Sequence, residues 1–135
     1  MSTEAAWVKK LNKQEPLKEI YSCGMSNPYI GGIPDRYYEG IFRPLWIEFK
    51  HIQKETHTFN AATEITPLQR AWLTRCWNNH NKPLVIVGIG LVKGFILSDP
   101  SDWGSIWSPA RHRKIHMPIP DIAERIKNIV SQIYA

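Results

Sequence analysis

The apolar segment "PLVIVGIG" at residues 83–90 constrains the fold more than any other part of the chain. A short segment with apolar residues at nearly every position is typical of a strand covered on both faces, and such a strand lies in the middle of a sheet. Between residues 83 and 97, glycines and Lys93 interrupt the apolar pattern, so this stretch falls short of a membrane span. We therefore expect a layered α/β protein without a membrane partner.

Helix and strand patterns alternate on both sides of this segment. Strands are predicted at 17–23, 35–40, 44–52 and 92–97, a turn-rich loop at 24–34, helices from Ser2 or Thr3 to Asn12, from Thr66 onward and at 120–134, and a short helix near 98–107. The last helix is amphipathic, with one apolar face formed by Ile122, Ile126, Ile129, Val130 and Ile133. This order predicts an α/β three-layer sandwich with a mixed central β-sheet flanked by helices. Since the sequence has no internal repeat, we expect a single domain over residues 1–135.

The charge balance favours an anionic partner. Seventeen basic and twelve acidic residues give a net charge of +5, and the isoelectric point is about 9.3. Nucleic acid is the first candidate partner, although many basic proteins bind none. The start "MSTEAAWVKK" lacks an apolar signal region, and Cys23 and Cys76 form no CxxC pattern, so we expect a cytoplasmic protein with reduced thiols.

Asp35, Glu48 and Lys50 are the residues that suggest chemistry. In an extended segment residues i and i+2 face the same side, so Glu48 and Lys50 project together while Ile47 and Phe49 face the other way. If the strand after Asp35 is an antiparallel neighbour, its carboxylate arrives beside Glu48. Converging carboxylates repel each other, and a hard divalent cation relieves that repulsion. Phosphodiester cleavage needs such a cation.

Each of these residues also has a simpler interpretation. Asp35 follows a proline and could be a turn residue. Glu48 and Lys50 could form an exposed ion pair of little energetic value. Gln69 could be an ordinary third residue of a capped helix, and Glu4 could favour a first helical turn through the helix dipole alone.

The stretch around these residues resembles the PD-(D/E)xK nuclease superfamily. Within it, the chain is most similar to the stand-alone, bacteriophage-type VRR-NUC domains and to Holliday-junction resolvase-like endonucleases. The resemblance is carried, in the family's order, by "GIPD" at 32–35, "WIEFK" at 46–50, the helix start "TPLQ" at 66–69 and the apolar strand "PLVIVGI". The early helical glutamate typical of the family corresponds to Glu4. The resemblance covers residues 2–97.

This resemblance implies a restriction-endonuclease-like core and a Mg²⁺-dependent DNA endonuclease in which Mn²⁺ can substitute. Carried over residue by residue, it assigns catalysis to Asp35, Glu48, Lys50 and Gln69, and metal binding to Asp35, Glu48, the backbone carbonyl of Phe49 and an outer Glu4. Lys50 would act on the attacking water or on the scissile phosphate. One departure from the family pattern is the long polar connection at 51–65, which is either a mobile DNA-contacting loop or an insertion.

Other groups of residues bear on DNA binding and on cofactors. The basic candidates for DNA contact are Lys9, Arg36, Lys54, Arg111, Arg113 and Lys114, with Lys10 and Lys13 extending the same surface. The basic run at 111–116 could equally be a solvated loop before the last helix. The five histidines show no zinc-ligand spacing, and Trp103 and Trp107 are expected to pack. Because 88–90 lacks a third glycine and a following helix, no nucleotide cofactor is expected.

Three functions fit these features. The leading hypothesis is an endonuclease that selects branched DNA, and symmetric cleavage of a four-way junction asks for a two-fold homodimer. This step follows from the family resemblance. A sequence-specific nicking, homing or restriction-type endonuclease is the alternative within the enzyme class. A non-catalytic DNA-binding protein that kept the nuclease fold is the alternative outside it.

Overall fold

A six-stranded mixed sheet organises the computed structural model, which describes residues 2–25 and 31–132. The strands of these ranges are β1 (Tyr21–Gly24), β2 (Arg36–Glu39), β3 (Pro44–Ile52), β4 (Phe59–Asn60), β5 (Leu84–Ile89), β6 (Lys93–Leu97), β7 (Ile106–Trp107) and β8 (Met117–Pro118). The central sheet has the order β1-β2-β3-β5-β6-β8, and β4 pairs with β7 outside it. Within the central sheet β3 and β5 run parallel and the other neighbours antiparallel, which confirms the predicted mixed sheet.

Helices cover both faces of the sheet. They are α1 (Glu4–Asn12), α2 (Glu15–Lys18), α3 (Ala61–Glu64), α4 (Pro67–Asn78), α5 (Pro109–Arg113) and α6 (Ile119–Ser131), with a 3₁₀ turn at Pro100–Gly104. One core joins the buried residues of α1, α2 and α6 to β3 and β5. A second core joins α3, α4, the 3₁₀ turn and the β4–β7 pair to β5 and β6. The predicted three-layer α/β architecture is therefore confirmed.

Strand β5 is central, as its composition predicts. All six of its residues are buried. Leu84 and Ile86 belong to the core on the α1 and α6 side, whereas Val85, Val87 and Ile89 belong to the core on the α4 side. Because alternate side chains enter opposite cores, a polar residue on either face would lose its hydration, and the continuous apolar run follows from this position.

The first and last helices lie on the same face of the sheet. Thr3 caps α1 by accepting a hydrogen bond from the backbone N–H of Ala6 at 3.1 Å. The Trp7 indole N–H donates to the carbonyl of Lys93 at 2.9 Å, which ties α1 to β6. The apolar face predicted for α6 is buried from Ile122 to Val130, and each fully buried isoleucine contributes roughly 2 kcal/mol. Ile133 lies outside the described residues.

Helix α4 begins where the sequence predicts. The Thr66 hydroxyl accepts from the backbone N–H of Gln69 at 3.2 Å, and the Gln69 side-chain oxygen accepts from the backbone N–H of Thr66 at 3.0 Å. This reciprocal capping box satisfies two N–H groups at the start of the helix. The residues before it, Ala61–Glu64, form the separate short helix α3.

Two segments differ from the sequence-based expectation. The strand predicted from residue 17 begins only at Tyr21, because residues 15–18 form the helical turn α2, which buries Leu17. The polar connection at 51–65 is fastened to the body of the protein, since Phe59 is buried and β4 pairs with β7. The expectation of a loop at 24–34 falls partly on residues 26–30, outside the described residues. Within the described ranges, none of the helices combines the length and hydropathy needed to cross a bilayer.

Gly32 brings the segment before Asp35 against the first turn of α4. Its φ of +83° lies in the left-handed region, where a side chain costs roughly 1–2 kcal/mol. A Cβ built on Gly32 would lie 2.3 Å from the carbonyl oxygen of Leu68. The glycine of the "GIPD" motif is therefore required both by its backbone conformation and by its close approach to α4.

We expect Gly32→Ala to lower the free energy of unfolding by about 3 kcal/mol, because positive-φ strain adds to a backbone clash. The matched control is Gly104→Ala, since a Cβ there meets nothing within 4 Å. Urea denaturation of both variants measures the difference. Equal stability of the two variants would show that the approach of Gly32 to α4 is not a constraint on the fold.

Candidate active site

Strand pairing brings Asp35 to the middle of β3. Arg36, the first residue of β2, pairs with Ile47 of β3, so Asp35 lies beside the next two residues of that strand. The Asp35 carboxylate accepts a hydrogen bond from the backbone N–H of Phe49 at 2.8 Å. The antiparallel arrangement on which a second carboxylate depends is therefore present.

Glu48 is a buried carboxylate, and its side chain is held on one side only. It is 2% exposed. Its Oε2 accepts from the side-chain amide of Gln69 at 3.1 Å and lies 3.5 Å from the Lys50 ammonium. Its Oε1 is buried and has no hydrogen-bond partner among the described residues. A buried carboxylate oxygen without a partner is costly, so this atom has the property expected of a metal ligand.

The environment of Glu48 disfavours its ionised form. Desolvation, followed by the neighbouring Asp35 carboxylate, raises the pKa of Glu48 to about 8, and the opposing charge of Lys50 does not offset them. Two acids that converge in a desolvated site raise each other's cost of ionisation. A divalent cation between them would reverse this effect, because its charge stabilises both carboxylates.

Gln69 connects the start of α4 to the site. Its side-chain oxygen accepts from both the Thr66 backbone N–H and the Lys50 ammonium, each at 3.0 Å. Its side-chain NH₂ donates to Glu48. With both ends of the amide engaged, its orientation is fixed, and Lys50 and Glu48 are held by one group. The capping interpretation of Gln69 is confirmed, and the same side chain also contacts Lys50 and Glu48.

Glu4 faces the same region from the first turn of α1. Desolvation, followed by the charge of Asp35, raises the pKa of Glu4, while Lys50 lowers it. Glu4 and Asp35 line the same cleft of about 550 Å³. Glu4, the outer acidic group expected from the sequence, is therefore close enough to Asp35 and Lys50 for both charges to shift its pKa.

Basic residues line the rest of this cleft. Lys9 of α1, Lys13 at the C-cap of α1 and Arg36 of β2 face it, together with Asn12 and Phe49. Lys9 and Lys13 are four residues apart and so lie on the same side of α1. Asn12 is the one residue of this set to which the sequence assigns no role in the site; its amide accepts from the Tyr38 hydroxyl and donates to the Val8 carbonyl.

The remaining basic candidates lie away from this cleft. Lys54, Arg113 and Lys114 are exposed. Arg111 stacks on the Trp107 ring, with its guanidinium carbon 3.8 Å from the ring centroid, and donates to the carbonyl of Ile106. The structure therefore brings Lys9 and Arg36 to the acidic residues, while Lys54, Arg111, Arg113 and Lys114 form a separate surface.

The two histidines of the 111–116 run are packed into the protein. His112 is fully buried and its ring stacks on Phe95, with a centroid separation of 4.9 Å. One of its ring nitrogens lies 2.8 Å from His116 and the other 2.8 Å from the carbonyl of His57. The two rings therefore have a packing role, and His112 holds the 51–65 connection through the carbonyl of His57.

The donor set suits a hard cation without forming a complete acidic cluster. In residues 2–25 and 31–132, no group of three or more His, Cys, Asp or Glu side chains is arranged to hold a metal. Two carboxylates do converge, and the Glu48 oxygen without a partner is directed to neither Lys50 nor Gln69. Carboxylate oxygens supplemented by a backbone carbonyl and water are the ligands that Mg²⁺ prefers.

Comparison with known proteins identifies the fold. No protein-family model and no curated protein matches the chain. Among solved structures, the Holliday junction resolvase Hjc of the archaeal hyperthermophile Archaeoglobus fulgidus matches with a TM-score of 0.61 at 9% sequence identity. The match covers 88% of this chain and 98% of the resolvase chain. The chain has a resolvase-like nuclease fold. At this level of identity the similarity establishes the fold, as the sequence resemblance predicted.

Without divalent cations, we expect the free energy of unfolding to fall as the pH rises from about 4.5 to about 8. Folding raises the pKa of Glu48 from 4.5 to about 8. In this interval the folded protein therefore keeps a proton that the unfolded chain releases, and stability decreases with pH. The decrease attributable to Glu48 is on the order of 5 kcal/mol.

Urea unfolding in chelator across this pH range measures the effect. Glu48→Gln should remove most of the decrease, whereas Glu124→Gln, an exposed residue on α6, should retain it. A decrease of the same size in Glu48→Gln would show that another group is responsible.

Proposed function

We propose that this protein is a divalent-cation-dependent DNA endonuclease that acts on branched DNA. The observation that carries the proposal is the buried Glu48 carboxylate, which has one oxygen without a partner, lies next to Asp35 and is fixed by Lys50 and Gln69. A set of this kind has no evident structural purpose, because an apolar residue at position 48 would avoid the cost of burying the charge. A resolvase-like fold and a basic cleft beside Asp35 support the same conclusion.

Asp35, Glu48 and the backbone carbonyl of Phe49 would hold Mg²⁺, or Mn²⁺ in its place, with Glu4 as an outer acidic group. When bound, the cation lowers the pKa of a coordinated water and neutralises charge that develops on the phosphate. The Phe49 N–H keeps the Asp35 carboxylate at β3 through its 2.8 Å hydrogen bond.

Lys50 supplies the positive charge that this chain itself contributes to the reaction. Its ammonium is mostly buried, with a side-chain exposure of 16%. It can orient the attacking water or stabilise charge on a non-bridging phosphate oxygen. Gln69 is a positioning residue, because its side-chain oxygen accepts a hydrogen bond from one N–H of the Lys50 ammonium. The other N–H groups of the ammonium are then directed toward the substrate.

The cleft between α1 and Asp35 is the proposed path of the cleaved strand. Lys9, Lys13 and Arg36 neutralise phosphates on either side of the scissile bond, which an acidic site alone would repel. The exposed Lys54, Arg111, Arg113 and Lys114 form a second basic surface for a further DNA arm. In a symmetric four-way junction two such sites are needed, so the active form is a homodimer.

Cleavage of a synthetic four-way junction and of a matched linear duplex, with Mg²⁺ or with chelator, tests the proposal. We expect Mg²⁺-dependent cutting of the junction in preference to the duplex. Glu48→Gln should reduce the rate about 10²-fold or more, since it removes a charged ligand without changing the shape of the side chain. Glu124→Gln is the matched control.

The outcomes separate the three candidate functions. Cutting of the duplex at a defined sequence, with no preference for the junction, would indicate a nicking, homing or restriction-type enzyme. DNA binding without cleavage under any metal condition would indicate a non-catalytic binding protein. Full activity of Glu48→Gln would overturn the assignment of the site.

A pair of variants at the start of α4 tests the positioning role of Gln69. Thr66→Ala and Gln69→Ala each remove one side chain of the capping box and should each cost about 1 kcal/mol of stability. Thr66→Ala keeps the backbone N–H that holds the Gln69 amide, so its cleavage rate should stay near that of the wild type. Gln69→Ala should slow cleavage at least tenfold and change its pH profile, because Lys50 and Glu48 lose a shared partner. Equal rates in the two variants would mean that Gln69 acts only as a cap.

A further inference from the structure

The turn between β2 and β3 projects an apolar tip from a basic protein. Ile41 is 96% exposed and Phe42 is 46% exposed. Large apolar residues at this exposure are unusual when two are adjacent on one turn. Neither residue belongs to the two cores, so both side chains are free to contact a partner.

This tip is fixed rather than flexible. The backbone N–H groups of Phe42 and Arg43 both donate to the carbonyl of Val130, at 2.8 and 3.1 Å. The turn packs so closely on the end of α6 that a Cβ on Gly40 would lie 2.4 Å from the same oxygen. A turn held in this way can bind a partner with little loss of conformational entropy.

A basic cleft of about 270 Å³ opens at the base of the tip. Arg43 lines it from the turn before β3, Lys82 from the connection before β5 and Arg125 from α6. None of the three forms an ion pair with a described carboxylate. Asp99 also lines the cleft, and its carboxylate accepts two hydrogen bonds from Ser101. With three cations and one carboxylate, the cleft has a net positive charge.

We propose that this tip and this cleft form an additional DNA-binding site, in which the cations bind backbone phosphates and Ile41 and Phe42 contact the adjoining sugars or base edges. Clustered lysine and arginine side chains are the usual phosphate contacts, and apolar wedges are used where base stacking is interrupted. A second copy of this chain fits less well, because it would bring further positive charge against an already basic surface.

The position of this site determines which part of the substrate it reaches. Arg43 lies immediately before β3 and precedes Glu48 by five residues, which corresponds to about 16 Å of extended chain. The contact therefore falls several nucleotides from the scissile phosphate, or on another arm of a branched molecule. The inference rests on the proposed nuclease function and adds a binding determinant that the catalytic residues do not supply.

Binding of a fluorescent four-way junction and of a matched linear duplex, measured by anisotropy in chelator over a range of salt concentrations, tests the inference without cleavage. Lys82→Gln/Arg125→Gln should weaken junction binding about tenfold and reduce the salt slope by about 2, since two phosphate contacts are lost. The control Lys18→Gln/Lys93→Gln has the same charge change. Its lysines already have carboxylate partners in Glu15 and Glu55, so its salt slope should stay at the wild-type value.

The apolar tip has its own variant. Ile41→Ser should weaken binding of the junction more than binding of the duplex, and because Ile41 is nearly fully exposed, thermal unfolding should be unchanged. If wild-type protein binds DNA but the Lys82/Arg125 variant keeps the wild-type salt slope, the assignment of a DNA-binding site to the tip and its cleft is wrong, and the proposed function stands. If wild-type protein binds neither DNA, both proposals are overturned.

Discussion

The hydrogen-bonded set of Glu48, Lys50 and Gln69 is the constraint on which the site depends. β3 must place apolar side chains in the core on one face while carrying a carboxylate and an ammonium on the other. Burying Glu48 is tolerated because Gln69 donates to it and Lys50 lies nearby, yet one of its oxygens is left without a partner. A buried oxygen without a partner lowers the stability of the folded protein, and a bound cation would recover that stability.

The same constraint links the start of α4 to the candidate active site. A capping box normally stabilises a helix and does nothing else. Here its glutamine oxygen serves two donors, the helix N-cap and the Lys50 ammonium. The helix therefore cannot shift along its axis without moving Lys50, and the sheet cannot shift past the helix without breaking the cap. Gly32 packs against the same turn through its neighbour Leu68, so the segment that delivers Asp35 is fixed by the same helix.

Local patterns predicted much of this arrangement, and contacts between distant segments account for the rest. The apolar run of β5, the capping box at Thr66 and the strand parity of Glu48 and Lys50 are properties of short stretches, and each matches the structure. The packing of the 51–65 connection was not predictable in this way. It depends on His112 reaching the carbonyl of His57 across 55 residues, and a buried histidine has the same sequence signature as a solvated one. The cleft of Arg43, Lys82 and Arg125 could not be predicted for the same reason, because its members come from three segments that are distant in the sequence.

The positions of the basic residues relative to the acidic residues can be understood from electrostatics. Glu4 and Glu48 both lie close enough to Asp35 for its charge to raise their pKa, and a polyanion approaches such a group of carboxyls only if cations surround it. Lys9, Lys13 and Arg36 lie directly beside the acids, whereas Arg43, Lys82 and Arg125 lie farther along the sheet. Cations close to the acids are partly neutralised by them, whereas cations at a distance keep their full attraction for phosphates. For the proposed DNA endonuclease, remote basic contacts would therefore add more to affinity than the cations beside the acids, which agrees with the net charge of +5.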